Sequence, residues 1–316
     1  MTVEVNRAEL LVRASDPVGG LHDPAIIGCV SLVELCRLIA RHVHRDPPVD
    51  GMFLSVVEHV TTPTPLMTGP VVGLVAQGAK QAVLGDRTYD YGAGQYLVAS
   101  VDLPVTGTYT VARPAEPFLG VGIALRPPAI ADLLLEADGR TARATTHPGI
   151  AVSDASADLL DAFARLLRLL DHPADLPVLW PLLEREILWR LVTGPQGAMV
   201  RQIGLADSTL THVGRAIRWI REHHAEPLRI EDLARLSRMS TTSFHRHFRA
   251  VTAMTPIQYQ KRIRLHEARL KLVDRTLDVA TVGYLVGYES TSQFSREYRR
   301  QFGLPPGRDA ERLRSA

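Results

Sequence analysis

No run in this sequence reaches the roughly 18 to 20 apolar residues that a membrane-spanning helix needs, and no signal peptide is expected at its start. Cysteine is nearly absent: Cys29 and Cys36 are the only two in 316 residues. Two thiols seven apart on one expected helix face read most simply as small core residues in a reducing cytoplasm. A redox or electrophile sensor is the sharper alternative. Enzyme signatures are missing too, with no G-x-S-x-G elbow and no Cys/His nucleophile pattern. Twelve histidines are present, but none has cysteine or carboxylate partners at ligand spacing, so no metal and no cofactor is expected. The strand-like region offers only Glu58-His59, too little for a metal-dependent barrel enzyme.

Lysine is scarce where positive charge is concentrated. The whole chain carries a net charge of only +2, yet from residue 209 onward 20 Lys+Arg face 11 Asp+Glu, and 18 of those 20 are arginine. The preceding part has 16 against 23. A basic module joined to an acidic one suggests that only the C-terminal part meets a polyanion. The planar fork of arginine suits phosphates and guanine edges better than a lysine point charge.

Hydrophobic texture divides the chain in the same way. Residues 30–44 have a helical period. From about 52 to 125 short apolar runs alternate with turn residues, as in an antiparallel sandwich or barrel, with Gly85-Asp86 and Gly92-Ala93-Gly94 as turns. Tyr89, Tyr91 and Tyr96 could line an effector pocket there, against ordinary strand packing as the plainer reading. Helices are expected again at 153–171, with Ser153 as N-cap, and at 177–193. Both are leucine-rich on more than one face, as either a core or a homodimer seam requires. These features suggest an α+β multidomain chain: a domain over 1–200, a linker at 201–208 and an all-α domain over 209–316.

The all-α part repeats itself. STTSFHRHFRAVTAMTP at 240–256 and STSQFSREYRRQFGLPP at 290–306 align without a gap. Each follows a short helix and a turn, so the unit is a helix-turn-helix used twice, joined by a long linking helix. Ser240 and Ser290 stand at the N-cap positions. Phe244 and Phe248, or Phe294 and Tyr298, are four apart and face inward. Thr242, His245, Arg246 and Arg249 then point outward, as do Ser292, Ser295, Arg296 and Arg299. Short donors followed by arginine forks are what a helix laid in a DNA major groove needs. Two such helices could enter successive groove segments roughly 34 Å apart.

The stretches DLARLSRMSTTSFHRHFRAVTAMTPIQYQKRIRLHEARLKL and VGYLVGYESTSQFSREYRRQFGLPP resemble the DNA-binding domain of AraC-type transcription regulators. LVAQGAKQAVLGDRTYDYGAGQYLVASVDLPVTG and EILWRLVTGPQGAMVRQI are similar to the companion domain of one subgroup of that family. The resemblance implies a cupin-like β-barrel with flanking helices before the double helix-turn-helix domain, and promoter binding that activates or represses nearby genes in the cytoplasm. It places base contacts on Thr242, His245, Arg246, Ser292, Ser295 and Arg296, with Ser240, Arg249, Ser290 and Arg299 on phosphates. Double-stranded DNA is the expected partner; RNA polymerase, a small-molecule effector and a homodimer are the others open to such a chain, and a membrane is not. A barrel that only dimerises, or one with enzyme activity, remains an alternative. One departure stands out: the family usually has alanine where this chain has Gly283, and glycine costs a helix about 0.5 to 1 kcal/mol.

Overall fold

The computed structural model describes residues 24–43, 49–137, 147–273 and 276–315. Helix α1 (Pro24–His42) precedes eight strands: β1 (Met52–Val57), β2 (Thr64–Thr68), β3 (Val71–Gln77), β4 (Ala79–Leu84), β5 (Arg87–Gly92), β6 (Gln95–Ala99), β7 (Leu103–Val111) and β8 (Phe118–Ala124). Helix α2 (Pro127–Glu136) and strand β9 (Ile150–Asp154) lead into α3 (Ala157–Leu169), α4 (Leu176–Thr193) and α5 (Gly197–Gly204). The remainder is helical: α6 (Thr209–Glu222), α7 (Ile230–Leu236), α8 (Thr241–Thr252), α9 (Pro256–Lys271), α10 (Val279–Leu285), α11 (Thr291–Phe302) and α12 (Pro306–Ser315). No helix among the described residues is long and apolar enough to cross a membrane.

The strands pair antiparallel into two sheets, ordered β1-β8-β3-β6-β9 and β2-β7-β4-β5. Gly85, at φ +62°, opens the two-residue loop between β4 and β5, a backbone angle that glycine reaches without strain. Because strand side chains alternate, each sheet has two distinct faces. On the larger sheet Leu74, Tyr96 and Val121 lie in register on one face, which α1 covers. The opposite face turns Val75, Leu97 and Phe118 toward the smaller sheet. There the Phe118 ring meets Tyr109 edge-on, with centroids 4.7 Å apart.

Helices α3 and α4 extend this layer through buried Phe163, Leu166, Leu167, Ile187 and Leu191. Arg165 grips Glu186 with both guanidinium arms, at 2.7 and 2.6 Å, and Arg168 grips Glu34 at 2.8 and 2.6 Å. These forks tie α4 and α1 to α3 and hold both carboxyls below the usual glutamate range.

Two local expectations need correction. Ser153 does not cap α3: it sits in β9 opposite Tyr96, and Ser156 caps the helix by accepting from Leu159 N at 3.2 Å. Strand pairing takes the first serine, so the helix starts at the next one. Residues 197–204, partly counted with the linker, form α5, which buries Met199, Val200 and Ile203 and packs against α2. Only 205–208 lies between α5 and α6, and Ser208 caps α6.

The apolar core of the barrel continues without a break into α6, α7, α8 and the start of α9. Residues of α9, α10, α11 and α12 form a second, smaller core around Leu265, Phe294 and Tyr298. Direct bonds reinforce the first junction. Tyr259 donates to the Asp102 carbonyl at 2.8 Å, Arg221 pairs with the Asp102 carboxylate at 2.6 Å, and Gly149 N donates to the Val251 carbonyl at 2.9 Å.

Candidate nucleic-acid interface

The two helix-turn-helix units are built by the same local chemistry. Helix α7 ends with Met239 N bonded back to the Ala234 carbonyl, and α10 ends with Tyr288 N bonded to the Gly283 carbonyl, at 2.9 and 3.0 Å. In each, the residue between is left-handed: Arg238 at φ 51° and Gly287 at φ 89°. This six-to-one closure satisfies the last carbonyls of the helix and turns the chain. Ser240 then caps α8 by accepting from Ser243 N, and Ser290 caps α11 by accepting from Gln293 N, at 3.3 and 3.4 Å. Both helices end on a left-handed residue, Ala253 or Gly303.

Burial separates the two faces. Phe244, Phe248, Phe294 and Tyr298 are fully buried. Their rings meet at steep angles along each helix, with centroids 5.4 Å apart for Phe244–Phe248 and 5.6 Å for Phe294–Tyr298. Thr242, His245, Arg246, Arg249, Ser292, Arg296 and Arg299 are exposed, and Ser295 is half-exposed. Arg249, Arg296 and Arg299 make no side-chain hydrogen bond or ion pair among the described residues. The residues assigned to bases in each unit therefore share one face of one helix.

Gly283 has a role beyond low helix propensity. A Cβ there would lie 3.1 Å from Cδ1 of Phe294, so glycine lets α10 close onto the aromatic core of its unit. The first unit has Ala234 at the matching place.

Side chains far from these faces set how the units are joined, and local pattern does not reveal them. Arg264 on α9 donates to the carbonyls of His224 at 2.6 Å, Gly287 at 2.7 Å, Glu226 at 3.1 Å and Ala225 at 3.2 Å. It thus fastens the loop between α6 and α7 to the turn of the second unit. Helix α9 spans 16 residues, about 24 Å at 1.5 Å per residue.

In the barrel the three tyrosines are divided. Tyr89 and Tyr91 lie on the inner face of the smaller sheet, in register with Ala82 and Lys80. Tyr96 faces the other way, toward the helical layer, where its hydroxyl bonds Ser153 and the Gln196 backbone. The inner face instead adds Tyr109 and Lys80, whose Nζ stands 4.8 Å from the Tyr109 ring centre. Burial and the neighbouring Tyr109 push the Tyr91 phenol up. A Cβ on Gly73 would meet no atom within 4 Å, so there is open space beside this face of β3. Cys36 is half-buried, its thiol pointing at the Ala76 carbonyl at 3.6 Å, and burial raises its pKa. That is the opposite of the low-pKa environment of a reactive thiol. The side chain of Cys29 lies outside the described residues. The described residues contain no cluster of His, Cys, Asp or Glu that could hold a metal ion.

Two family models match the chain: the AraC-type transcriptional regulator N-terminus over residues 48–199 and a helix-turn-helix domain over residues 233–312. The chain is an AraC-type transcriptional regulator.

Curated AraC-type relatives agree with this. The transcriptional activator RhaS of Escherichia fergusonii is 32% identical over 133 residues, 40% of this chain and 47% of that protein. RclR of Escherichia coli, a transcriptional activator, is 35% identical over 109 residues, 34% of this chain and 38% of RclR. The regulator ExsA of Pseudomonas aeruginosa is 27% identical over 166 residues, 52% and 58% of the two chains. The chain thus spans about half the length of the curated relatives it matches. The AraC-type fold extends further. ToxT of Vibrio cholerae, solved with an unsaturated fatty acid bound, superposes with a TM-score of 0.55 over 84% of this chain and 97% of that one, at 8% identity.

Proposed function

We propose that residues 209–316 bind a specific promoter site in the cytoplasm, with α8 and α11 in successive major-groove segments. Residues 1–200 sense a small molecule and dimerise, and 201–208 joins the two parts. The observation that carries this reading is the pair of matched helices whose exposed arginines and short donors share one face. Thr242, His245, Arg246, Ser292, Ser295 and Arg296 read base edges. Arg249 and Arg299 hold phosphates, and so do Ser240 and Ser290, whose hydroxyl oxygens cap the helices while their protons remain available. Arg246→Ala or Arg296→Ala is expected to cost roughly 1 to 3 kcal/mol and to relax specificity at one position. Arg299→Ala should weaken all sequences alike and lower the salt slope by about one. Titrations on cognate and scrambled duplexes at several salt concentrations check this; equal losses on both duplexes for all three variants would contradict it.

For the sensor, the inner face of the barrel supports a ligand with a carboxylate and an apolar body. Lys80 supplies the cation, and Tyr89, Tyr91 and Tyr109 supply aromatic wall. An AraC-type neighbour of the same fold was solved with a fatty acid bound, a ligand of this chemistry. Lys80→Met should lower affinity for a long-chain fatty acid by roughly 1.5 to 3 kcal/mol, the worth of a hydrogen bond to a charged group. Unchanged binding by calorimetry would remove the barrel from this role.

For dimerisation, α4 presents Val178, Leu182 and Trp189 to solvent at spacings of four and seven, with Leu135 of α2 exposed nearby. Val178, Leu182 and Trp189 lie on one side of α4 with the charged Arg185 near them, an exposed apolar strip for a second copy of the chain to bury. Leu182→Glu is expected to give monomers in sedimentation, while wild type sediments as a dimer. Two of the relatives are named as activators, so RNA polymerase is the partner proposed downstream of promoter occupancy.

A further inference from the structure

A cleft of about 570 Å³ opens where the β4–β5 loop of the barrel approaches the C-terminal end of α8, the middle of α9 and the last turns of α11. Its charged lining is Asp86, Arg249, Lys261, Arg262, Glu297 and Arg300. The carboxylate of Glu297 is already engaged, accepting from Lys261 Nζ at 2.9 Å, Tyr288 OH at 2.9 Å and Gln293 Nε2 at 3.2 Å. Arg249, Arg262 and Arg300 have no such partner among the described residues. Elsewhere on the linking helix, Arg264 and Arg269 are both bonded. Arg262 is half-buried, and burial together with the nearby Arg300 lowers its proton affinity. Asp86, the other carboxylate of the lining, pairs with neither Arg262 nor Arg300 among the described residues, and two guanidinium groups held close together cost free energy that an anion between them would recover.

We infer that this cleft is a phosphate-binding site, with half-buried Arg262 and exposed Arg300 and Arg249 as its donors. Three forked donors match the several acceptor oxygens and near double charge of a phosphate better than a carboxylate's two oxygens. The volume lies within the range of small-molecule sites, so the phosphate belongs to a larger body. Two sources share this chemistry: a free phosphate ester, and the DNA backbone. Arg249, placed above on a DNA phosphate, is shared by the cleft and the DNA-facing side of α8. The free ester is favoured because the barrel loop forms one wall and none of the six base-reading residues lines the cleft.

The test uses the full-length protein in phosphate-free buffer. Inorganic pyrophosphate is titrated by calorimetry into wild type, Arg262→Gln and Arg300→Gln, and each protein is also bound to duplex DNA across a range of salt. Pyrophosphate binding that falls about tenfold or more in both variants, with the DNA salt slope unchanged, supports a free phosphate ester. No pyrophosphate binding, with a salt slope reduced by about one in both variants on every duplex, assigns the phosphate to DNA. Pyrophosphate binding that neither variant alters overturns the site, as does the absence of any effect on either ligand. Should Arg262→Gln lower the melting temperature, the exposed Arg300→Gln carries the comparison alone.

Discussion

Gly287→Ala is expected to destabilise the protein by about 3 kcal/mol or more and to abolish cooperative binding to a two-part site. Two costs add at this position. The backbone is left-handed at φ 89°, worth about 1 to 2 kcal/mol against any residue with a Cβ. The new Cβ would also lie 2.3 Å from the carbonyl oxygen of Ala225, backbone that has no flexible end to move aside. Relief requires the second unit to shift away from the loop between α6 and α7. Such a shift would pull the Gly287 carbonyl from Arg264 and alter the angle between α8 and α11. Gly303→Ala is the natural control: its φ is 80°, but a Cβ there meets nothing within 4 Å, so it carries only the backbone cost. Urea denaturation of the two variants separates the clash from the strain. Equal losses would mean that the Gly287–Ala225 contact does not hold the units.

Asp309→Ala is expected to cost about 3 to 5 kcal/mol, the usual result of removing one partner from a buried charged network. Asp309 is fully buried, where it accepts from Arg269 Nε at 2.9 Å, Tyr298 OH at 2.9 Å and Arg312 Nη2 at 2.8 Å. It thereby joins α12 to the linking helix and to the inner side of α11. Burial, and then the hydrogen bond to this carboxylate, push the Tyr298 phenol up. Truncation leaves a half-buried guanidinium and a buried hydroxyl facing a void. The damage should stay local, because the second unit has its own small core whereas the first shares the core of the barrel. Hydrogen exchange should show α11 and α12 losing protection while α8 keeps it. Uniform loss across both units would contradict separate cores.

The double helix-turn-helix domain was legible because its determinants are local and written twice. Aromatic residues four apart and serines at both caps are short-range rules, and the chain obeys them in both copies. The outward face follows once the inward one is known. Less legible was everything joining residues far apart in the chain. Nothing near Arg264 marks it as the residue that reaches both His224 and Gly287. Tyr96 reads like Tyr89 and Tyr91 in sequence, yet it sits in a different sheet and faces the opposite layer. Lys80 looks like a solvated strand lysine until β7 brings the Tyr109 ring beneath it. The misplaced cap at Ser153 has a related cause, since cap chemistry is local but strand pairing with β6 is not.

The most direct measurement is selection of bound duplexes from a random pool by the full-length protein at two salt concentrations. The account predicts an enriched site of two distinct half-elements, with centres about one helical turn, 10 to 10.5 base pairs, apart. Arg246→Ala should relax one half-element and Arg296→Ala the other. A single enriched element, or weak binding without enrichment that vanishes in moderate salt, would contradict paired recognition by α8 and α11.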